Sequence, residues 1–115
     1  MKSEIEIWAR KLGEKLQAHD IMAATAESCT GGGVAYAITE ISGSSAWFDR
    51  GFVTYTNQAK QQMLGVPSEL ILNHGAVSGE VVAAMAAGAL AYSSAQLSVA
   101  ISGIAGPLGG TAEKP

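Results

Sequence analysis

The 115-residue sequence predicts an α/β protein, with a three-layer arrangement in which helices cover both faces of an open sheet. Two observations support this fold class. Short, apolar, uncharged runs alternate with longer segments in which apolar residues recur at helical spacing. In addition, the run at 21–26 leads through a glycine-rich turn into a helix, which is half of a βαβ unit. We expect one domain over residues 1–105 and a Gly/Pro-rich loop or tail at 106–115.

The first half of the chain contains two predicted helices and one strand. Residues 3–19 repeat apolar side chains every three or four positions, with Ser3 as the N-cap, Gly13 as a mild weakness and Trp8 directed to the core. The uncharged run at 21–26 predicts a buried strand. The glycine-rich turn 27–33 follows, and a second helix then carries apolar residues from Val34 onward.

The second half predicts two more strands and three helices. Residues 51–55 (G-F-V-T-Y) are a strand, and Thr56–Asn57 cap a helix that stops at Gly65. A short helix over 67–74 and an alanine-rich helix from Ser78 to about 94 follow. The last strand is predicted at 97–102. Because the sequence then stops in a loop after only three strands, we expect a sheet that is incomplete at its C-terminal end.

Composition excludes several classes of function. The formal net charge of −3 and the scattered Lys and Arg residues argue against nucleic-acid binding, which needs a basic stripe. Cys29 is the only cysteine, so no intramolecular disulfide forms and a reducing compartment fits best. The apolar stretch 81–91 is too short to span a bilayer, and the amino terminus is not a signal peptide. We expect a soluble cytoplasmic protein.

The turn that follows the first strand is a candidate anion site. Backbone amides at a helix start bind phosphate readily, and the hydroxyls of Ser28 and Thr30 stand beside Gly31 and Gly32. The sequence matches neither the P-loop nor the dinucleotide-binding pattern. A tight turn that merely requires glycine explains the same residues.

The segment 42–60 carries the groups of a Ser-Lys hydrolase. Lys60 falls in the first turn of its helix, where the helix dipole disfavours the charged amine, and Arg50 and burial are expected to act in the same direction. A neutral Lys60 can take a proton from a serine hydroxyl, with Tyr55 as relay or oxyanion donor. The sequence leaves open whether Ser44 or Ser45 faces the amine. A polar loop without chemistry has similar composition.

Four segments together resemble the carboxy-terminal domain of the competence/damage-inducible protein CinA. They are A-E-S-C-T-G-G at 26–32, G-S-S-A-W-F-D-R-G-F-V-T-Y-T-N-Q-A-K at 43–60, H-G-A-V-S at 74–78 and I-S-G-I-A-G-P at 101–107. Single-domain members of that family are nicotinamide-nucleotide amidases. The resemblance implies hydrolysis of nicotinamide mononucleotide to nicotinate mononucleotide and ammonia in pyridine-nucleotide salvage, without a metal or other cofactor, in a bacterial cytoplasm.

The resemblance also implies roles for individual residues. It assigns Ser45 as nucleophile, Lys60 as general base and Tyr55 as the assisting tyrosine. Ser28 and Ser102 match serines of the substrate site, and the turn 28–33 and the loop 103–106, which includes Gly103, are candidates for holding the 5′-phosphate. Family members continue past the E-K-P end with a strand, a helix and a substrate-site arginine. Leu108 and Gly33 depart from the residues usual in the family.

Two other interpretations of the same residues are open. Glu27, Lys60 and Cys29 are the residue types of a Glu-Lys-Cys amidase, in which a helix amino terminus would activate the thiol. A buried small side chain is the favoured explanation of Cys29. From another functional class, the chain is a non-catalytic module that binds nucleotides or a partner protein. The alanine-rich helix and the thin sheet are consistent with assembly, and a homodimer is the expected partner arrangement.

Overall fold

The computed structural model describes residues 3–104 of the chain, so the predicted tail at 106–115 lies outside the described residues. Eight elements follow one another along the chain. In order they are α1 (Glu4–Ala18), β1 (Ala23–Glu27), α2 (Gly33–Thr39), β2 (Phe48–Val53), α3 (Asn57–Leu64), α4 (Ser68–His74), α5 (Gly79–Ala91) and β3 (Leu97–Ile101). A single 3₁₀ turn, Ser44–Ala46, precedes β2.

The sheet has three parallel strands in the order β2-β1-β3. Glu27 at the end of β1 lies opposite Val53 of β2 and Ile101 of β3, so the carboxyl ends of all three strands meet at one edge. The central strand β1 is buried along its whole length. Its small side chains, A-A-T-A-E, allow helices to pack closely on both faces.

Two apolar clusters lie on opposite faces of the sheet, because successive side chains of a strand point to opposite sides. Ala23 of β1 belongs to the cluster that α1 and α2 cover. Ala24 and Ala26 belong to the other, which α3, α4 and α5 cover with Leu64, Ile71, Val81, Met85 and Ala89. The predicted α/β class, with helices on both faces of the sheet, is confirmed. Within residues 3–104 no helix has the length and apolarity that a bilayer span requires.

The helix ends predicted from local sequence signals agree with the structure, whereas the predicted bounds of the second strand differ from the observed ones. Ser3, Thr56 and Ser78 each accept a hydrogen bond from a backbone amide three residues later, which confirms them as N-caps. Gly65, with φ of +68°, ends α3. However, β2 begins at Phe48 and ends at Val53, rather than covering 51–55. As a result, Thr54 and Tyr55 lie in the connection that follows the strand.

The prediction that Trp8 points into the core is wrong. Its side chain is 61% exposed, and Trp47 is the buried tryptophan. The absence of a side chain at Gly13 makes room for the buried Trp47, because a Cβ at that position would lie 2.5 Å from the Trp47 ring. The glycine is therefore a packing requirement on α1 and not simply a weak helix position.

Candidate active site

A pocket of about 260 Å³ opens at the carboxyl edge of the sheet. Its walls come from the segments that follow all three strands and from the start of α3. The lining residues are Ser28, Cys29, Tyr55, Asn57, Lys60, Ala76, Val77, Ser102, Gly103 and Ile104. This is the edge at which open α/β sheets bind their ligands. It unites five of the predicted site residues, namely Ser28, Tyr55, Lys60, Ser102 and Gly103.

The Lys60 amine is buried at the base of this pocket. Only 1% of the residue is exposed. Its Nζ lies 3.2 Å from Ser28 Oγ and donates to the Thr54 carbonyl oxygen at 3.2 Å. Thr54 itself is fully buried, and its N–H donates to the Glu27 carbonyl oxygen at 2.8 Å, so that the acceptor is held in place. The amine donates to both the Ser28 hydroxyl oxygen and the Thr54 carbonyl oxygen.

Burial lowers the pKa of Lys60 below its ordinary value of 10.5, because the charged ammonium loses hydration. The nearby Cys29 acts in the opposite direction on that pKa, but desolvation is the larger effect. Arg50 was expected to contribute, and this expectation is wrong. Its guanidinium pairs with Asp49 at 2.7 Å and donates to the Tyr92 carbonyl oxygen at 3.2 Å, on the surface. Burial therefore favours the neutral form of the Lys60 amine.

Ser44 and Ser45 do not meet Lys60 in the described part of the chain. They form the 3₁₀ turn that enters the amino end of β2, whereas Lys60 follows its carboxyl end. The six residues of β2 span about 20 Å. Ser45 is exposed, and Ser44 Oγ donates to the Thr39 carbonyl oxygen at 3.5 Å. The expected contact between Lys60 and this serine pair is therefore corrected: the hydroxyl beside the amine is that of Ser28.

Tyr55 and Ser102 lie on the pocket wall. Tyr55 is 67% exposed, so its ring stands at the mouth of the pocket rather than in its base. Ser102 Oγ donates to the Ala76 carbonyl oxygen at 3.0 Å, which joins the end of β3 to the segment before α5. Gly103 continues the same wall.

Beside the glycine-rich turn, the amides at the start of α2 that the sequence suggested for an anion are occupied by Glu27. The Glu27 carboxylate accepts hydrogen bonds from Thr30 Oγ1 at 2.6 Å and from the amides of Val34 and Ala35 at 2.8 Å. The amides at the start of α2 are thus bound to an acid of the chain itself. Thr30 lines a separate apolar groove between α1 and α2. Gly31 and Gly32 have φ of +59° and +98°, so a left-handed turn explains both glycines.

The structure brings together only two of the three residues of the Glu-Lys-Cys alternative. Cys29 lines the pocket near Lys60, but Glu27 faces α2, on the other side of the sheet from Lys60. Four groups at the pocket were missed by sequence reasoning: the Thr54 carbonyl, Asn57, Ala76 and Val77. The first has no side-chain signal, because a carbonyl is present at every residue. Among residues 3–104, no cluster of three or more His, Cys, Asp or Glu side chains is arranged as a metal site.

Comparisons with known proteins identify relatives along nearly the whole chain. The family model described as "CinA C-terminal domain" matches residues 5–115. The chain is 57% identical over 113 residues to the nicotinamide-nucleotide amidohydrolase PncC of Escherichia coli K12, covering 98% of this chain and 68% of that protein. It is 56% identical over 107 residues to the Pseudomonas putida protein of the same name, with coverage of 93% and 67%.

The chain is also similar to solved structures. A competence/damage inducible protein of Agrobacterium tumefaciens superimposes with a TM-score of 0.93 at 54% identity, over 100% of this chain and 70% of that one. A CinA superfamily protein of Escherichia coli gives a TM-score of 0.91 at 37% identity, with coverage of 100% and 69%. Both therefore share the three-layer arrangement described above.

Proposed function

Because the chain belongs to the CinA C-terminal domain family, we propose that it hydrolyses the carboxamide of nicotinamide mononucleotide to a carboxylate and ammonia. The observation that carries the proposal is the buried Lys60 amine, 3.2 Å from Ser28 Oγ inside a pocket. The relatives named PncC amidohydrolases, at 55–57% identity, support the choice of substrate. A cytoplasmic role in pyridine-nucleotide salvage and a homodimeric state remain predictions.

Ser28 is the nucleophile in this mechanism, in place of Ser45. Its Oγ forms a bond to the carboxamide carbon as its proton passes to Lys60 Nζ, giving a tetrahedral oxyanion and an ammonium. Lys60 then returns the proton to the departing nitrogen, which leaves as ammonia, and an ester to Ser28 remains. Lys60 next deprotonates a water, and the hydroxide attacks the ester carbonyl. As the bond to Ser28 Oγ breaks, Lys60 returns the proton to that oxygen, and the product acid releases its own proton to solvent and leaves as a carboxylate.

Two groups near Ser28 and Lys60 have further roles in the proposed mechanism. The Thr54 carbonyl, which accepts one N–H of Lys60 at 3.2 Å, holds the amine so that its lone pair meets the serine. The phenol of Tyr55, at the pocket mouth, is the O–H donor proposed to stabilise the oxyanion. A volume of about 260 Å³ is below the 300–1,000 Å³ typical of pockets for drug-sized ligands. The pocket therefore suits the pyridine carboxamide, and the ribose phosphate lies outside it.

The experiment measures ammonia release from nicotinamide mononucleotide by four proteins: the wild-type chain, Ser28→Ala, Ser45→Ala and Cys29→Ala. We expect Ser28→Ala to lose at least about 10³-fold in kcat, because within residues 3–104 the hydroxyl that is hydrogen-bonded to Lys60 Nζ is that of Ser28. Ser45→Ala and Cys29→Ala should each stay within about threefold of wild type. Loss of activity in Ser45→Ala with Ser28→Ala active would overturn the assignment.

Two further outcomes concern the alternatives. If only Cys29→Ala is inactive, the thiol is the nucleophile and the serine mechanism fails. If the wild-type chain binds the nucleotide, as measured by calorimetry, but releases no ammonia, the non-catalytic binding module is the better description. Trapping the acyl ester by acid quench and mass spectrometry identifies the nucleophile directly, with the expected adduct on the peptide that contains Ser28.

A further inference from the structure

Glu27 is a buried acid with no role in the proton transfers above. It is 1% exposed, and three donors bind its carboxylate: Thr30 Oγ1 at 2.6 Å and the backbone amides of Val34 and Ala35 at 2.8 Å. Burial by itself raises the pKa of Glu27, but hydrogen bonds led by that from Thr30 outweigh it and leave the pKa below its ordinary value. The group is therefore a charged carboxylate inside the protein.

The position of Glu27 couples it to Ser28. The two residues are consecutive at the end of β1, and successive side chains there point to opposite faces of the sheet. Glu27 reaches the start of α2 on one face, whereas Ser28 reaches Lys60 of α3 on the other. The backbone of Ser28 is also fixed, since its N–H donates to the Ile101 carbonyl oxygen at 3.0 Å.

The turn between Ser28 and α2 has little support of its own. Gly31 and Gly32 both have positive φ, and the turn is closed by two backbone bonds, Gly31 N–H to the Ser28 carbonyl and Gly33 N–H to the Thr30 carbonyl. Glycines allow this conformation but do not enforce it. The carboxylate supplies the constraint, because it binds the hydroxyl of Thr30 within the turn and two amides of α2 beyond it.

We propose that Glu27 is a positioning residue for amide hydrolysis, whose carboxylate fixes the turn 28–32 against α2 and so keeps Ser28 Oγ within reach of Lys60 Nζ. The inference rests on the proposed function and adds a residue that touches neither the substrate nor the reacting atoms. It has a second consequence. Because the amides of Val34 and Ala35 are already bound to Glu27, they are not available to bind the phosphate of the substrate.

The first test separates kcat from KM. Glu27→Gln keeps the size of the side chain, but its NH₂ group cannot accept from a backbone amide, so at least one of the three bonds is lost. We expect kcat to fall about 10²-fold, as for a misplacement of about 1 Å, with KM within about twofold. The midpoint of the pH–kcat profile should not move, since Lys60 remains the base. Glu14→Gln, at an exposed position on α1, is the matched control.

Two conservative substitutions of Thr30 test its hydrogen bond to the Glu27 carboxylate. Thr30→Ser keeps the hydroxyl that donates to Glu27 and should retain wild-type kcat within about twofold. Thr30→Val removes it at nearly constant volume and should lower kcat about tenfold, as expected for one hydrogen bond to a charged acceptor. Equal kcat in the two variants contradicts the proposal. So does a Glu27→Gln enzyme whose kcat, counted per folded molecule, equals that of wild type, or one in which only KM rises.

A readout independent of turnover separates this inference from the proposed function. Amide hydrogen exchange should quicken at least about tenfold at Ser28, Val34 and Ala35 in Glu27→Gln, while Met85 in the opposite cluster keeps its protection. If the wild-type chain proves inactive on the nucleotide, this exchange result still decides the role of Glu27. Unchanged exchange at Ser28 in the variant overturns the proposal whatever the substrate is.

Discussion

Replacing Lys60 by methionine tests the central physical claim, which is that burial lowers the pKa of the Lys60 amine. Methionine has a similar shape and no ionisable group, so the variant removes the proton equilibrium and leaves the packing. Lys60 is 1% exposed, and its pKa lies below 10.5 in the folded chain because of desolvation. In the unfolded chain the amine is hydrated and has the ordinary pKa.

The sign of the effect follows from proton binding. At any pH between the lowered pKa and 10.5, the unfolded chain holds a proton on Lys60 that the folded chain does not. The free energy of unfolding of the wild type therefore rises with pH in that window, by up to about 1.4 kcal/mol per pH unit. Lys60→Met lacks this dependence, so its stability relative to wild type is greatest below the lowered pKa and declines as pH rises.

The assay is urea unfolding of both proteins at pH values from 6 to 10. At the low end we expect Lys60→Met to be more stable by about 1–2 kcal/mol, as seen when buried charged groups are replaced by apolar ones of similar volume. Ammonia release should fall by about 10²–10⁴-fold, the usual contribution of a general base. Lys15→Met, which removes an exposed amine from α1, is the control. It shows how much of the change in unfolding free energy comes from the loss of one positive charge. A stability difference that does not vary with pH refutes the reasoning.

Two other predictions concern the scaffold and use the same unfolding assay. Thr56→Ala removes the N-cap hydroxyl that accepts from the Ala59 amide at 3.0 Å, and should lower the free energy of unfolding by about 1 kcal/mol. A much smaller change would show that the cap does not hold α3. Gly88→Ala places a Cβ against the Leu64 carbonyl oxygen and should destabilise by about 2 kcal/mol or more, whereas Gly79→Ala meets open space and should be near neutral. Equal effects of the two alanines would contradict the close packing of α3 on α5.

Helices and their ends could be predicted from the sequence because the causes are local. Ser3, Thr56 and Ser78 cap helices through bonds to amides three residues away, and Gly65 ends one through its own φ. The α/β class also followed from alternating strand and helix patterns. The bounds of β2 were less accurate, because the strand begins where β1 offers partners, at Phe48, and not where apolar residues begin.

The residues of the pocket were largely present in the sequence prediction, but their partners were not. Ser28, Tyr55, Lys60, Ser102 and Gly103 were all singled out, and all line one pocket. In residues 3–104 the Lys60 amine is hydrogen-bonded to Ser28, whereas proximity along the chain and the family resemblance had suggested Ser44 or Ser45. The six-residue strand β2 lies between the serine pair and Lys60. The serines therefore lie at the amino end of the strand, and Lys60 lies beyond its carboxyl end.

The sequence by itself determined that this chain has an α/β fold with N-capped helices, and it singled out a serine, a tyrosine and a lysine as candidate site residues. Only the tertiary structure decided which serine meets the lysine, why Gly13 is needed beside Trp47, and that Glu27 serves α2. The reason is that parallel strands align their carboxyl ends across the sheet. Residues 32 positions apart thereby come within hydrogen-bond distance, whereas neighbours on either side of one strand are separated by its length.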